Sequence, residues 1–225
     1  MKIDILSIFP EMFDGFLNTS IIKRAIDGGY VDIKIHNFRD YSLDKHGKVD
    51  DYPYGGGAGM VLMCEPIYRC LDEIRTDESL VLMMSPSGRV FKQEIARDLS
   101  KKKHIILLCG HYEGFDERIL NVVDMQMSIG DYVLTGGEVP SMVITDAVTR
   151  LIPGVISSDS LLSESFDDGL LDYPNYTRPE EFRGMRVPEV LLSGHHENIK
   201  KYREEQRIKR TKERISDLTG GDSHE

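Results

Sequence analysis

Apolar residues follow two spacings along this chain, and the spacing changes from one segment to the next. Short apolar runs, typical of buried strands, alternate with segments whose apolar residues recur every three or four positions, as on one face of a helix. The predicted strands are 2–8, 31–35, 80–84, 105–109 and 123–127, and the predicted helices are 12–25, 66–75, 92–101, 115–122 and 139–150. This alternation favours an α/β fold with a mostly parallel sheet.

Two finer expectations follow from residue type. The run Ser-Pro-Ser-Gly at 85–88 follows an apolar strand and predicts a turn. In the helix 139–150, the four-residue spacing of Val143, Ala147 and Leu151 predicts that these side chains share one face.

The alternation ends beyond Pro153. Residues 157–168 are rich in Ser and Asp and contain few apolar residues, which is typical of a linker. We therefore expect an α/β domain over 1–156, a flexible interdomain linker over 157–173 and a small α-helical C-terminal domain over 174–225.

Composition indicates a soluble globular protein. The 225 residues are 40% hydrophobic and 29% charged, and the longest apolar runs are too short to cross a bilayer. The N-terminal run contains Asp4 and no cleavage signature, so it predicts a strand rather than a signal peptide. Cys64, Cys70 and Cys109 lie among apolar residues, and we interpret them as reduced core residues of a cytoplasmic protein.

Charge is distributed unevenly. The net charge of −10 argues against a simple nucleic-acid binder. However, the segment 200–214 contains eight basic and three acidic residues, a net charge of +5, which leaves −15 for the rest. Such a tail could hold a polyanion, although a solvated helix face explains it equally well when the tail is taken alone.

Two glycine-rich stretches predict a ligand pocket. The strand 105–109 ends at Gly-His-Tyr-Glu-Gly, and the stretch 128–140 combines three glycines with Ile129, Val133 and Leu134. A buried strand that ends in a glycine-flanked turn is the usual ligand position in an α/β sheet. Because the stretches are close in sequence, we expect one pocket built from both, although each alone would be interpreted as an ordinary tight turn.

Several familiar chemistries do not fit the residues. The glycine-rich run 54–60 is followed by Val61, without the Lys and Ser/Thr of a phosphate-binding loop, and no Gly-x-Gly-x-x-Gly follows the first strand. The run His-His-Glu at 195–197 lacks a further metal ligand at a sensible spacing, and Cys109, although close to His111, is better explained as a core thiol. A backbone-lined pocket of this kind suits a ligand with an adenine and a compact cationic group.

Five runs, in order along nearly the whole chain, resemble the bacterial tRNA (guanine-N1)-methyltransferase family: 54–60, 109–114, 128–138, 169–179 and 191–195. The resemblance implies a SPOUT fold, an α/β fold with a deep trefoil knot that periodicity could not have shown. It implies S-adenosylmethionine as methyl donor, bound in the knot, and a homodimer with its active sites at the subunit interface. The implied substrate is the tRNA guanosine directly 3′ of the anticodon, position 37, when another guanosine precedes it.

The resemblance also assigns residues. The implied donor pocket consists of Pro86, Gly110, Tyr112, Glu113, Gly114, Ile129, Gly130, Asp131, Tyr132, Val133, Leu134, Gly136 and Pro140. Arg150 stands at the family's catalytic arginine. Glu164 stands where the family has an aspartate as general base, and Asp172 is a nearby second carboxylate.

Some alternatives stay open at this point. A magnesium requirement is not decided by the residues, and no protein metal site is predicted. The chain ends soon after Leu218, whereas family members continue, which implies a shortened C-terminal domain. A non-catalytic tRNA-binding protein on the same fold, or a related knotted methyltransferase acting on ribose 2′-OH or rRNA, are the alternative functions.

Overall fold

The computed structural model describes residues 1–157, 165–166 and 168–219, with side chains through residue 216. The chain forms two compact units, Met1–Ile156 and Ser157–Glu225. Part of the predicted linker, residues 158–164 and 167, lies outside the described residues. The assignment of roles to the domains stays a prediction.

The first unit is built on a parallel sheet of five strands. The strands in chain order are β1 (Lys2–Ser7), β2 (Asp32–Asn37), β3 (Asp50–Asp51), β4 (Val61–Leu62), β5 (Ser79–Val90), β6 (His104–Leu108) and β7 (Met125–Ser128). The sheet order is β2-β1-β6-β5-β7, and β3 and β4 form a separate antiparallel pair. All neighbours in the large sheet run parallel, so the predicted α/β class with a parallel sheet is confirmed.

Helices cover the sheet on both faces. The α-helices are α1 (Asp14–Leu17), α2 (Ser20–Asp27), α3 (Cys64–Ile74), α4 (Gln93–Ser100) and α5 (Glu138–Thr149), and the 3-10 helices are Pro10–Phe13, Phe38–Tyr41 and Glu117–Val122. Successive side chains of a strand point to opposite faces, so Ile105 and Leu107 of β6 join one apolar cluster while Ile106 and Leu108 join the other. Burial on both faces explains the uninterrupted apolar sequence of β6.

Two predicted elements differ from the observed ones. The helix predicted over 12–25 is interrupted after Leu17, where Asn18 Nδ2 donates to Asp14 O and Thr19 Oγ1 donates to Gly15 O. These side-chain bonds take carbonyls that a continuing helix would use. The turn predicted over 85–88 is wrong, because β5 continues to Val90 with a register irregularity where it resumes pairing with β7.

The helix α5 buries a different face from the one that carries Val143, Ala147 and Leu151. Val143 is exposed, whereas the buried face carries small polar residues together with Ile144 and Val148. The buried Ser141 Oγ lies 3.1 Å from Cys109 Sγ at the end of β6. Small side chains let the helix approach the strand closely. The spacing of apolar residues in the sequence does not indicate this close packing.

The second unit contains helices and one small hairpin. Strands β8 (Glu181–Phe182) and β9 (Met185–Arg186) pair in antiparallel fashion, and the helices are α6 (Glu189–Leu192) and α7 (His196–Thr219). The helix α7 contains the basic segment predicted from the sequence.

Candidate active site

A cavity of about 510 Å³ lies at the carboxyl ends of β5, β6 and β7. Its walls come from three segments: 83–87 within β5, where the pairing with β6 ends, 110–117 after β6, and 126–137 without residue 131, from β7 onward. Pro140 of α5 completes the lining. This is the edge at which parallel α/β sheets bind ligands.

The two glycine-rich stretches meet at this cavity. His111 pairs with Gly136 in an antiparallel bridge, and the Gly137 N–H donates to Gly110 O at 2.8 Å. A Cβ atom on Gly137 would lie 2.6 Å from Cys109 Cα, so only glycine fits where the chain passes the end of β6. The two stretches therefore line one cavity, as the sequence predicted.

The exit of β7 is shaped by a second local constraint. Gly130 has φ 151°, and its N–H and carbonyl both bond to Ser128 Oγ, at 3.2 and 3.1 Å. The φ value favours glycine, and a Cβ there would also meet the Tyr132 ring at 2.5 Å. The turn directs Ile129 and Tyr132 to the cavity wall.

Most residues assigned to the donor pocket by resemblance line this cavity. The structure brings together Pro86, Gly110, Tyr112, Glu113, Gly114, Ile129, Gly130, Tyr132, Val133, Leu134, Gly136 and Pro140. Asp131 is exposed and does not line the cavity.

Sequence reasoning missed His111 as a site residue. Its ring packs edge-on against Phe9 and Tyr112, with 4.9 Å between centroids in each case. Its Nδ1 is buried and has no hydrogen-bond partner among the described residues. The position of His111 inside Gly-His-Tyr-Glu-Gly was the available signal, but it was weighed only as a partner for a cysteine.

Polar side chains at the end of β5 were missed as well. Ser85 Oγ and Ser87 Oγ lie 2.8 Å apart, and Ser87 Oγ donates to Gln126 Oε1 at 3.3 Å. These three side chains line the cavity. The sequence of this run was interpreted only as a turn, and its two serine hydroxyl groups were not considered as site groups.

The cysteines are free thiols with raised pKa values. Burial raises the pKa of Cys109 well above its usual value, and the charge of Glu138 acts in the same direction. Burial likewise raises the pKa of Cys70 to about 12 and raises that of half-buried Cys64. Since the thiolate is the nucleophile, this supports the interpretation of Cys70 and Cys109 as core residues.

The candidate catalytic residues are distributed over both units. Arg150 follows α5 directly as its half-buried C-cap in the first unit. Asp172 belongs to the second unit, where its N–H donates to Ser165 Oγ at 2.9 Å and its carboxylate accepts from the Tyr173 N–H at 2.7 Å. Glu164 lies outside the described residues. The catalytic roles stay predictions.

Metal-binding and membrane-spanning features are not found among the described residues. Among the described residues, no three or more His, Cys, Asp or Glu side chains are grouped to hold a metal ion. His195, His196 and Glu197 are exposed, as predicted for surface residues. In the described part of the chain, no helix has the length and apolar character needed to cross a membrane.

Comparison with known proteins agrees with the class that the fold and cavity indicate, a ligand-binding enzyme on a parallel α/β sheet. Residues 1–221 match the family model described as tRNA (Guanine-1)-methyltransferase TrmD. The chain therefore belongs to the tRNA (guanine-N1)-methyltransferase family, which confirms the SPOUT class. The path of the trefoil knot itself stays a prediction.

Curated relatives cover almost the whole chain. Proteins from Ureaplasma urealyticum and Malacoplasma penetrans are 60% and 57% identical, over 97% of this chain and 96% of each relative. A protein from Staphylococcus epidermidis is 56% identical over 97% of this chain and 90% of its own length. All three are named tRNA (guanine-N(1)-)-methyltransferase.

Proposed function

We propose that this protein transfers the methyl group of S-adenosylmethionine to N1 of the guanosine directly 3′ of the tRNA anticodon. The observation that carries the proposal is the cavity at the ends of β5, β6 and β7, because two of the five runs that resemble the family, 109–114 and 128–138, supply much of its lining. The names of the curated relatives support the same reaction. We propose a cytoplasmic location on the same basis, since tRNA is modified there.

The cavity suits the methyl donor in size and chemistry. About 510 Å³ falls within the range of small-molecule sites. Glycine-rich backbone at 110–114 and 130–137 offers N–H and C=O groups that can hold an adenine, while Ile129 and Leu134 add apolar contacts. When bound, S-adenosylmethionine supplies an activated methyl group on a sulfonium, which requires no phosphate cradle.

The chain's own residues would prepare the nucleophile. N1 of guanine carries a proton, and a carboxylate within hydrogen-bond reach can remove it, contributing ~10²–10⁴-fold. We propose Glu164 as this base, with Asp172 as the second candidate. Negative charge then develops toward O6, where the guanidinium of Arg150 would stabilise it. Alignment of N1 with the methyl group supplies much of the remaining acceleration.

We also propose that the working form is a homodimer. The helix α5 leaves Val139 and Val143 46% and 42% exposed, and the neighbouring Val133 is 86% exposed. Exposed apolar side chains this close together favour burial against a second copy of the chain. Light scattering is expected to give twice the mass of 25.6 kDa. An active monomer would contradict the shared site.

Product analysis tests the function directly. A tRNA transcript with guanosine 3′ of the anticodon is expected to yield 1-methylguanosine after digestion, and a transcript with adenosine there should yield none. Methylation of ribose or of rRNA would favour the related methyltransferase, and tRNA binding without transfer would favour a binding protein. Repeating the assay with a chelator tests for a magnesium requirement.

Single-turnover rates test the residue roles, because saturating donor and tRNA separate chemistry from binding. Glu164→Gln is expected to slow transfer by ~10²-fold or more, and Glu164→Asp should stay active. Arg150→Ala should abolish transfer but retain donor binding. If Glu164→Gln keeps the full rate while Asp172→Asn loses it, Asp172 is the base.

A further inference from the structure

The arginines of α7 share one face of the helix. Their spacing of four, three and four residues keeps them within a narrow stripe at 3.6 residues per turn, and the stripe consists of Arg203, Arg207, Arg210 and Arg214. By the same periodicity, Lys201, Lys209 and Lys212 lie on the opposite face. The basic tail therefore has two chemically different sides.

The arginine face contacts the described segment 165–173, on which Asp172 lies. Arg203 stacks over the Tyr173 ring at 4.5 Å, and Arg214 stacks over the Phe166 ring at 4.7 Å. Between these two contacts, Arg207 forms an ion pair with Asp168 and is only 14% exposed. The four arginines, half of the basic residues in the tail, thus all contact residues between Ser165 and Tyr173.

Three side chains of α7 hold consecutive backbone groups beside Asp172. Thr211 Oγ1 accepts from the Leu171 N–H at 2.9 Å and donates to Arg207 O at 2.8 Å. Arg207 Nε donates to Leu171 O at 3.3 Å, and Arg210 donates to Asp172 O at 3.2 Å. The backbone on both sides of the Asp172 side chain is therefore fixed to the helix.

This arrangement also orients Asp172 itself. Its N–H is bonded to Ser165 Oγ, and the carboxylate lines a cavity of about 570 Å³ together with Arg210 and Arg214. Fixing one residue's backbone in a single conformation costs conformational entropy. Because α7 holds this backbone in the folded protein, the entropy is lost during folding and not during methyl transfer.

We propose that Thr211, together with Arg207 and Arg210, is a positioning residue that holds Asp172 in place for methyl transfer. The inference rests on the proposed function with Asp172, the second candidate named there, acting in transfer. It goes beyond that function because it assigns a catalytic purpose to residues that would otherwise be counted as tRNA contacts or as a structural clamp. Contact with the tRNA backbone then falls to the lysine face.

A pair of variants at one position tests the proposal. Thr211→Val keeps the shape and removes the hydroxyl, whereas Thr211→Ser keeps the hydroxyl. We expect Thr211→Val to slow single-turnover transfer roughly five- to tenfold, the effect of one lost hydrogen bond, with tRNA affinity changed less than about twofold. Thr211→Ser should restore the rate. Glu205→Gln, an exposed position on the opposite face with no assigned role, is the control and should keep the saturated rate.

A double mutant distinguishes positioning from mere stability. If Thr211 acts through Asp172, Thr211→Val should add little to the rate loss of Asp172→Asn. Independent, multiplicative effects, equal rates for Thr211→Val and Thr211→Ser, or a full rate for Asp172→Asn would each overturn the proposal. If circular dichroism shows that Thr211→Val loses helix, Arg210→Gln serves as the test variant instead. A wild-type rate for Arg210→Gln would also overturn the proposal. Wild-type protein that transfers no methyl group would instead refute the proposed function.

Discussion

Replacing Asp4 by Asn should destabilise the fold strongly, because this carboxylate is fully buried in the middle of β1. It lies 2.9 Å from His36 Nε2 on β2, 2.7 Å from His104 Nε2 on β6 and 2.6 Å from Lys2 Nζ. Ser79 Oγ, at the start of β5, lies 2.7 Å from His104 Nδ1 and extends the network. One charge thus links four strands.

The magnitude follows from the pKa of Asp4. Burial raises it, but hydrogen bonds from His36, Lys2 and His104 outweigh burial and lower the pKa from 3.8 to about 2. At about 1.4 kcal/mol per pH unit, this corresponds to about 2–3 kcal/mol in favour of the ionised folded state. Because the folded pKa is depressed, this contribution is present above pH 3.8 and is lost as the pH falls toward 2.

Urea unfolding at several pH values measures the effect. Asp4→Asn is expected to lower the free energy of unfolding by about 2–3 kcal/mol at pH 7, and the difference from wild type should shrink below pH 4. The control is Asp32→Asn on β2, whose 58% exposed carboxylate lies 3.7 Å from Lys34 Nζ. That change should cost less than about 1 kcal/mol. Equal stability of Asp4→Asn and wild type at pH 7, or a pH-independent difference, would refute the reasoning.

Two further predictions concern the region around the cavity and the cysteines. Gly137→Ala should lower the free energy of unfolding by at least about 1–3 kcal/mol, because its Cβ would clash with Cys109 Cα. Gly15→Ala, with no atom within 4 Å of the new Cβ, should be neutral or stabilising by up to about 1 kcal/mol; similar urea curves for the two variants would contradict this. In the native protein at pH 8, Cys70 and Cys109 should resist thiol reagents until denaturant is added, since burial raises both pKa values. Rapid labelling of either without denaturant would show that burial does not protect it.

Local patterns were sufficient for the sheet and for the position of the cavity. The apolar run of β6 predicted a strand buried on both faces, and the glycines that follow it predicted a pocket at its carboxyl end. Such inferences succeed because burial and turn geometry act on neighbouring residues. Motif resemblance then supplied the particular residues of the donor pocket, and of these Asp131 alone does not line the cavity.

Other features depended on partners far away in the chain. The buried face of α5 packs Ser141 on Cys109, and the four-residue spacing of Val143, Ala147 and Leu151 did not indicate which face is buried. Within β5, pairing with β7 overrode the turn signals of 85–88. No local pattern encodes the distance between two segments that meet only after folding.

The polar groups illustrate the same division. The sequence shows Asp4 within an apolar run and a cluster of positive charge near the C-terminus. In the structure, Asp4 lies buried in β1 and the positive charges lie on α7. Only the tertiary structure brought His104 to Asp4, across 100 residues, and turned Arg207 and Arg210 toward their own backbone. The chemistry of a residue and its local periodicity can be read from the sequence. The partner of a charged side chain depends on the strand order and the helix packing, because these bring distant residues together.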